Sequence, residues 1–438
     1  MTSNNGAYTE AFVWIWLPDE TEPVVAGRLH ADGNTLLFNY GISYLDRDNA
    51  ISIYEPELPL QQGELPLLDG LSMPNCIRDA APDAWGRRVI INKKLGLKGK
   101  QGDAAQLDEL TYLLESGSDR IGALDFQQSA TDYKPRNPIS ATLSELLESA
   151  ERVEKGVPLT PELDQALHHG SSIGGARPKV LIEDDDKKFI AKFASSSDLY
   201  SVVKAEFIAM RLAKIVGLDV APVFLKKAAN KDVLLIERFD RVLSPKGWLR
   251  KSMVSALTLF ELDEMMARYA SYETLAETIR HKFYNAPETL KELFIRMTFN
   301  ILTGNTDDHA RNHAAFWDGK MLTLTKAYDI CPQGRSGNEA SQAMLISGDN
   351  RMSQISGCVS AAHLFQLSNE DAASIVEKQV ISIGENWRSV CEAAELTETD
   401  RNLIWGRQFL NPFAFADLAS DALGLQELAD QIRAEYRF

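Results

Sequence analysis

The sequence predicts an α+β fold in three successive parts: a β-rich N-terminal module, a small mixed lobe and a large all-α C-terminal lobe. Three observations predict it. Residues 12–40 carry short β-branched and aromatic runs around an Asp32-Gly33 turn. Residues 179–239 set strand-like runs on either side of a helical segment, and past Trp248 the apolar spacing is mainly helical. The predicted boundaries are 1–130, 131–245 and 246–438, and 438 residues with 45% apolar composition are enough for two or three cores.

Taken in order, Phe12–Leu17, Val24–His30 and Thr35–Tyr40 read as strands, the last two joined as a hairpin. Asn75–Lys94 reads as a helix with Pro82 tolerated near its start. Prolines and polar residues in Gln127–Pro138 mark a boundary. Ile139, Leu143, Leu146, Leu147, Ala150 and Val153 then share one helical face that Gly156 ends, and Thr160-Pro161 opens a short helix. Val180–Ile182 and Phe189–Phe193 form a hairpin about the acidic turn Asp184–Asp186. A helix runs from about Leu199 to Gly217, and Leu234–Phe239 is a strand. Later helices start near Ser271, Pro287, Asn369 and Thr397.

A net charge of −16 argues against sequence-independent binding to nucleic acid or anionic lipid. One basic island, residues 87–100, reads as a solvated helix face in preference to a nucleic-acid contact. Cys76, Cys331, Cys358 and Cys391 have no Cys-x-x-Cys spacing and read as reduced thiols. The adjacent His168-His169 lack neighbours at metal-ligand spacing. No segment reaches membrane-spanning length, so the expectation is a cytoplasmic protein without a membrane partner.

Chemistry concentrates in Asn300–Asp329. A helix stops at Gly304, and Asn305-Thr306-Asp307-Asp308-His309-Ala310-Arg311-Asn312 follows. Strands His313–Trp317 and Lys320–Thr325, joined by Asp318-Gly319, then return the chain to Tyr328-Asp329. Phosphoryl transfer to a hydroxyl needs a carboxylate to orient and deprotonate it, and oxygen ligands to hold Mg²⁺ on the nucleotide. Asp307 and Asn312 have the Asp-x-x-x-x-Asn spacing of a kinase catalytic loop, and the hairpin would bring Asp329 beside Asn312. Asp307 is the expected base, with Asp308 a rival of the same chemistry. The plain alternative is that these residues only cap and turn the chain.

Three upstream features fit the same machine. Ser171-Ser172-Ile173-Gly174-Gly175-Ala176-Arg177-Pro178-Lys179 precedes a strand, and its glycines would let backbone approach a phosphate while Arg177 and Lys179 add positive charge. Without the rest, a plain turn explains it as well. Lys192, between apolar neighbours on a strand, suits a phosphate-facing lysine; an edge lysine in water is the alternative. Glu206 on the next helix is a candidate partner for it, although Lys204 and Arg211 are nearer to Glu206 in sequence. Glu237-Arg238-Phe239-Asp240-Arg241 ends a strand where a hinge would offer backbone groups to adenine, or is simply a charged strand end.

With these residues in place, the chain resembles the HipA family, the kinase toxins of bacterial type II toxin–antitoxin modules. The resemblance rests on the N-terminal β module, Asp79–Arg88, Ser172–Lys179, Glu237–Arg241, Thr306–Asn312 and Tyr328-Asp329. It implies a protein-kinase-like two-lobed fold with an added N-terminal β-rich subdomain, and serine/threonine kinase activity with ATP and Mg²⁺. It implies Asp307 as base, and Asn312 and Asp329 as Mg²⁺ ligands. It assigns Gly174, Gly175, Ala176, Arg177, Pro178, Lys179, Lys192, Glu237, Arg238, Phe239, His309, Ala310, Arg311, Asn312, Tyr328 and Asp329 to ATP, and Ser172 to autophosphorylation. The implied substrate class is a translation component such as an aminoacyl-tRNA synthetase. The implied partner is a helix-turn-helix antitoxin (HipB-like) that supplies the DNA contact. Three departures stand out: Gly-Gly-Ala-Arg-Pro-Lys where Gln-Glu often precedes the lysine, Asp308 where glycine often sits, and Asp329-Ile330-Cys331 in place of Asp-Phe-Gly. A kinase-fold corepressor subunit and a small-molecule phosphotransferase are the competing readings; the N-terminal module and the Ser172 loop argue against the second.

Overall fold

The computed structural model describes residues 8–95, 106–136, 142–154, 157, 177–184, 186–194, 198, 200–335, 337–419 and 422–436. Ser172, Gly174, Gly175, Ala176, Thr160-Pro161, His168-His169, Lys98 and Lys100 lie outside them. The chain divides into two compact units. The first is Met1–Ser196, Lys226–Val254 and Phe316–Lys320; the second is Ser197–Leu225, Ser255–Ala315 and Met321–Phe438.

The first unit opens with strands β1 (Glu10–Ile15), β2 (Val24–Asp32), β3 (Thr35–Tyr40), β4 (Glu64–Leu65) and β5 (Leu124–Gln127), which form one sheet in the order β4-β3-β2-β1-β5. The Asp32-Gly33 hairpin forms with Asp32 opposite Thr35, and Gly33 takes φ +59 as that turn demands. β5 pairs antiparallel with β1 from a position more than a hundred residues later, a pairing that no local pattern announces.

A second sheet follows in the order β6-β7-β9-β8, from β6 (Lys179–Asp184), β7 (Lys187–Phe193), β8 (Val223–Ala228) and β9 (Lys231–Glu237). Its apolar face buries Val180, Phe189, Ala191, Phe193, Val233 and Leu235 against Leu146, Leu147, Ala150 and Val153 of the helix Leu143–Glu154 and against Trp85 and Val89. The helical face expected from spacing is thus the face that packs.

The single helix expected over Asn75–Lys94 is two helices, Asn75–Arg78 and Ala84–Leu95. Pro82 brings no amide hydrogen to continue the first, and the Asp83 carboxylate accepts from the amides of Trp85 (3.2 Å) and Gly86 (3.4 Å), starting the second. On that second helix Arg87 makes a bidentate pair with Glu109 at 2.8 Å for both bonds, and Lys94 pairs with Glu115 at 2.5 Å. Part of the basic island is therefore neutralised within the chain.

The second unit is mainly helical, with long helices Val202–Ile215, Ala286–Leu302, Asn369–Ala393 and Gly424–Glu435. Leu290, Leu293, Phe294, Met297, Phe299 and Ile301 are fully buried along Ala286–Leu302, so that helix is the unit's central column. The four cysteines are buried and in no disulfide, and among the described residues no helix is long and apolar enough to cross a membrane.

Candidate active site

The central helix ends at Leu302 and the chain must turn sharply. Gly304 makes the turn at φ +71, where a Cβ would lie 2.7 Å from the Gln408 carbonyl oxygen, so glycine is required on two counts. The turn delivers Asn305, whose Nδ2 donates to Asn300 Oδ1 at 3.0 Å, and then the paired aspartates.

Asp307 and Asp308 have opposite environments. Asp308 is 2% exposed and accepts hydrogen bonds from the Tyr272 hydroxyl and from His313 Nε2, whose distances to the two carboxylate oxygens are 3.0 and 3.1 Å. Asp307 is exposed, and its carboxylate makes no hydrogen bond or ion pair among the described residues. Surrounding protein that partly desolvates it raises its pKa, the Asp329 charge pushes the same way, and His309 opposes both. Asp308 is spent on anchoring the loop, while the Asp307 carboxylate is open to solvent.

Asn312 closes the loop. Its backbone amide donates to His309 O at 2.8 Å, and its side-chain Nδ2 donates to Asp307 O at 3.2 Å. With the nitrogen so committed, its Oδ1 remains as an oxygen donor. Asp329 sits at φ +57, a conformation that non-glycine residues adopt rarely and that recurs where chemistry constrains the backbone. The Ala327 amide donates to Asp219 O at 2.7 Å and the Tyr328 hydroxyl to Arg311 O at 2.6 Å, fixing the approach to Asp329. One carboxylate and one amide oxygen are hard donors of the kind that suits Mg²⁺, which keeps several waters and takes phosphate oxygens for the rest. Arg311 turns outward to an ion pair with Glu264, and Ala310 is buried.

In the first unit, Lys179 and Lys192 stand directly opposite each other on β6 and β7, 4% and 8% exposed. The Trp85 indole donates to Lys179 O at 3.1 Å and the Phe193 amide to Pro178 O at 3.1 Å, so the strand start after the glycine-rich segment is held firmly. Arg177 is half-buried. Glu206, on the helix Val202–Ile215 of the second unit, is 2% exposed, while its sequence neighbour Lys204 donates to Glu395 O at 2.7 Å.

The strand end Glu237–Arg241 differs from a simple ligand-facing segment. Glu237 pairs with Lys187 at 2.8 Å, and Phe239 packs edge-on against Phe316. The Arg238 guanidinium is buried between Asp119 (2.9 Å) and Asp240 (2.8 and 2.9 Å), and Arg241 meets the same two carboxylates at 2.8 Å. Burial alone would raise the Asp119 carboxyl; the charges of Arg238, Arg241 and Lys188 overcome it and hold it well below the usual range. The Arg238 side chain is therefore consumed, and its amide, bonded to Lys188 O at 2.8 Å, is engaged too. Sequence reasoning missed Asp119, Tyr272 and His313, whose residue types carried no spacing signal.

Family models match the chain in two places: the HipA N-terminal domain over residues 15–127 and the HipA-like C-terminal domain over residues 171–387. A putative kinase, Y4mE, of Sinorhizobium fredii is 24% identical over 316 residues, 67% of this chain and 71% of that one. The serine/threonine-protein kinase toxin HipA of Shewanella oneidensis is 27% identical over 183 residues, 36% of this chain and 42% of its own. The solved complex of Shewanella oneidensis HipA with HipB and operator DNA contains a chain of the same fold, with TM-score 0.60, 20% identity and coverage of 97% and 96%.

Proposed function

Because the chain belongs to the HipA family, we propose that it is an ATP- and Mg²⁺-dependent serine/threonine protein kinase, the toxin of a toxin–antitoxin module. The observation that carries the reading is the division of labour between adjacent aspartates, one exposed with a raised pKa and one buried and bonded. Asp307 orients the substrate hydroxyl and takes its proton as the phosphoryl group arrives. Asn312 Oδ1 and the Asp329 carboxylate hold Mg²⁺, which when bound neutralises charge on the transferring phosphates. Lys179 and Lys192 bind phosphate oxygens with Gly174 to Pro178, and Glu206 balances Lys192. Backbone at 237–239, with His309, Ala310, Arg311 and Tyr328, completes the nucleotide site. Residues 1–130 act as the β-rich subdomain, 131–245 as the nucleotide lobe and 246–438 as the catalytic lobe.

The substrate is a translation component such as an aminoacyl-tRNA synthetase, and Ser172 is autophosphorylated to inactivate the enzyme. A helix-turn-helix antitoxin binds it and supplies the DNA contact; the solved relative bound to HipB and operator DNA supports this part. The test is incubation with labelled ATP and cell lysate. Wild type labels itself and a discrete substrate, and Asp307→Asn labels neither. A second reading, a kinase-fold corepressor, is favoured by the same relative, and under it Asp307→Asn leaves operon repression and growth phenotype intact.

A further inference from the structure

The second unit holds a cavity of about 750 Å³, within the range of roughly 300–1,000 Å³ typical of small-molecule sites. Arg335, Asn338, Asn402, Arg407 and Asn411 line it, with the last turns of the helix Gly424–Glu435. Three guanidinium groups, those of Arg335, Arg407 and Arg433, meet one carboxylate, Asp430, among its lining residues. Such an excess of cation is unexpected in a chain of net charge −16.

Arg335 is the informative residue. It is 9% exposed, its Nη1 donates to Asn338 O at 3.1 Å, and its Nη2 lies 3.5 Å from Ser353 Oγ. Its Nε is buried with no partner, and among the described residues no carboxylate stands within ion-pair distance of Arg335 or Arg407. Arg433 donates to Leu410 O at 2.8 Å and pairs with Asp430, which leaves Arg335 and Arg407 as the uncompensated charges. Burial accordingly pushes Arg335 below the ordinary arginine range, with no acidic neighbour acting against it. A buried guanidinium without a counter-charge is costly, and a planar fork with open donors matches phosphate oxygens. Chain next to the lining residues supports the turn at Gly304: the Gln333 amide donates to Gly304 O at 2.9 Å and the Leu410 amide to Leu302 O at 2.7 Å.

We propose that this cavity binds a small, multiply phosphorylated molecule through Arg335 and Arg407, at a site separate from the nucleotide residues. It stands whether or not the chain transfers phosphate, because it is read by binding alone. The probe is sodium pyrophosphate, titrated calorimetrically into the full chain in magnesium-free buffer at fixed ionic strength. Wild type binds it at least tenfold more tightly than sulfate, and Arg407→Gln, an exposed position expected to fold normally, weakens binding at least tenfold. Arg335→Gln does the same, with Arg335→Lys giving a partial loss if the glutamine variant is unstable. Arg388→Gln, an exposed arginine outside the cavity, leaves binding unchanged. Pyrophosphate bound no more tightly than sulfate, or binding lost in Lys192→Gln but kept in Arg407→Gln, overturns the assignment.

Discussion

Replacing Asp307 and Asp308 one at a time should produce opposite defects. Asp307 is exposed and its carboxylate has no bonded partner among the described residues, so Asp307→Asn should change stability by no more than about 0.5 kcal/mol. It removes the proposed base, and phosphotransfer should fall by about 10²–10⁴-fold, the usual worth of a positioned acid–base group. Asp308 is 2% exposed and bonded by Tyr272 and His313. Asp308→Ala strips both donors of their acceptor inside the second unit, a loss of about 3–5 kcal/mol for a broken buried charged network. Asp308→Asn keeps one acceptor oxygen and should lose about 1.5–3 kcal/mol. Urea unfolding followed by circular dichroism gives the stabilities, and labelled-ATP transfer at a temperature where every variant is folded gives the rates. The reasoning is refuted if Asp307→Asn destabilises more than Asp308→Asn, or if Asp307→Asn keeps more than a tenth of the activity while Asp308→Asn keeps less.

The raised Asp307 pKa predicts that activity, which needs the carboxylate, is lost as pH falls through a midpoint above the ordinary aspartate range; carbon NMR titration of Asp307 should show that midpoint drop in Asp329→Asn. Glu57, 5% exposed, is pushed up to about 7 by burial despite accepting from the amides of Asn75 and Cys76. Its folded pKa exceeds its unfolded value of about 4.3, so its contribution is full below pH ~4 and is lost as pH rises to about 7, by about 3 kcal/mol. Glu57→Gln should flatten that stretch of the stability–pH curve measured by denaturant unfolding. A phosphate on Ser172 adds about −1.5 to −2 charges beside the proposed phosphate-binding residues and should weaken ATP binding by about tenfold or more; equal calorimetric affinity of phosphorylated protein and Ser172→Ala would contradict this.

Features set by neighbours along the chain are legible in the residues themselves. The Asp32-Gly33 hairpin, the strand pair over 179–193 and the stop at Gly304 each follow from turn chemistry and period within a few residues. The helix over Asn75–Lys94 failed for a reason also local, since Asp83 beside Pro82 is a stop followed by a cap, and spacing alone averaged across it. β5 escaped notice because its partner β1 is far away in sequence and the polar stretch after it dominates the pattern.

Within the candidate site the division is sharper. Residue types and spacing point to Asp307, Asn312 and Asp329 as one proposed catalytic apparatus, because a loop and a tight hairpin restrict where the backbone can go. They did not determine which aspartate is exposed, that Arg238 is spent on Asp119 and Asp240, or that Arg335 is buried without a counter-charge. Those outcomes depend on solvent exposure and on partners such as Asp119, 119 residues from Arg238 in the chain. A charge's chemistry is set by the dielectric and the groups around it, and only folding brings those groups together.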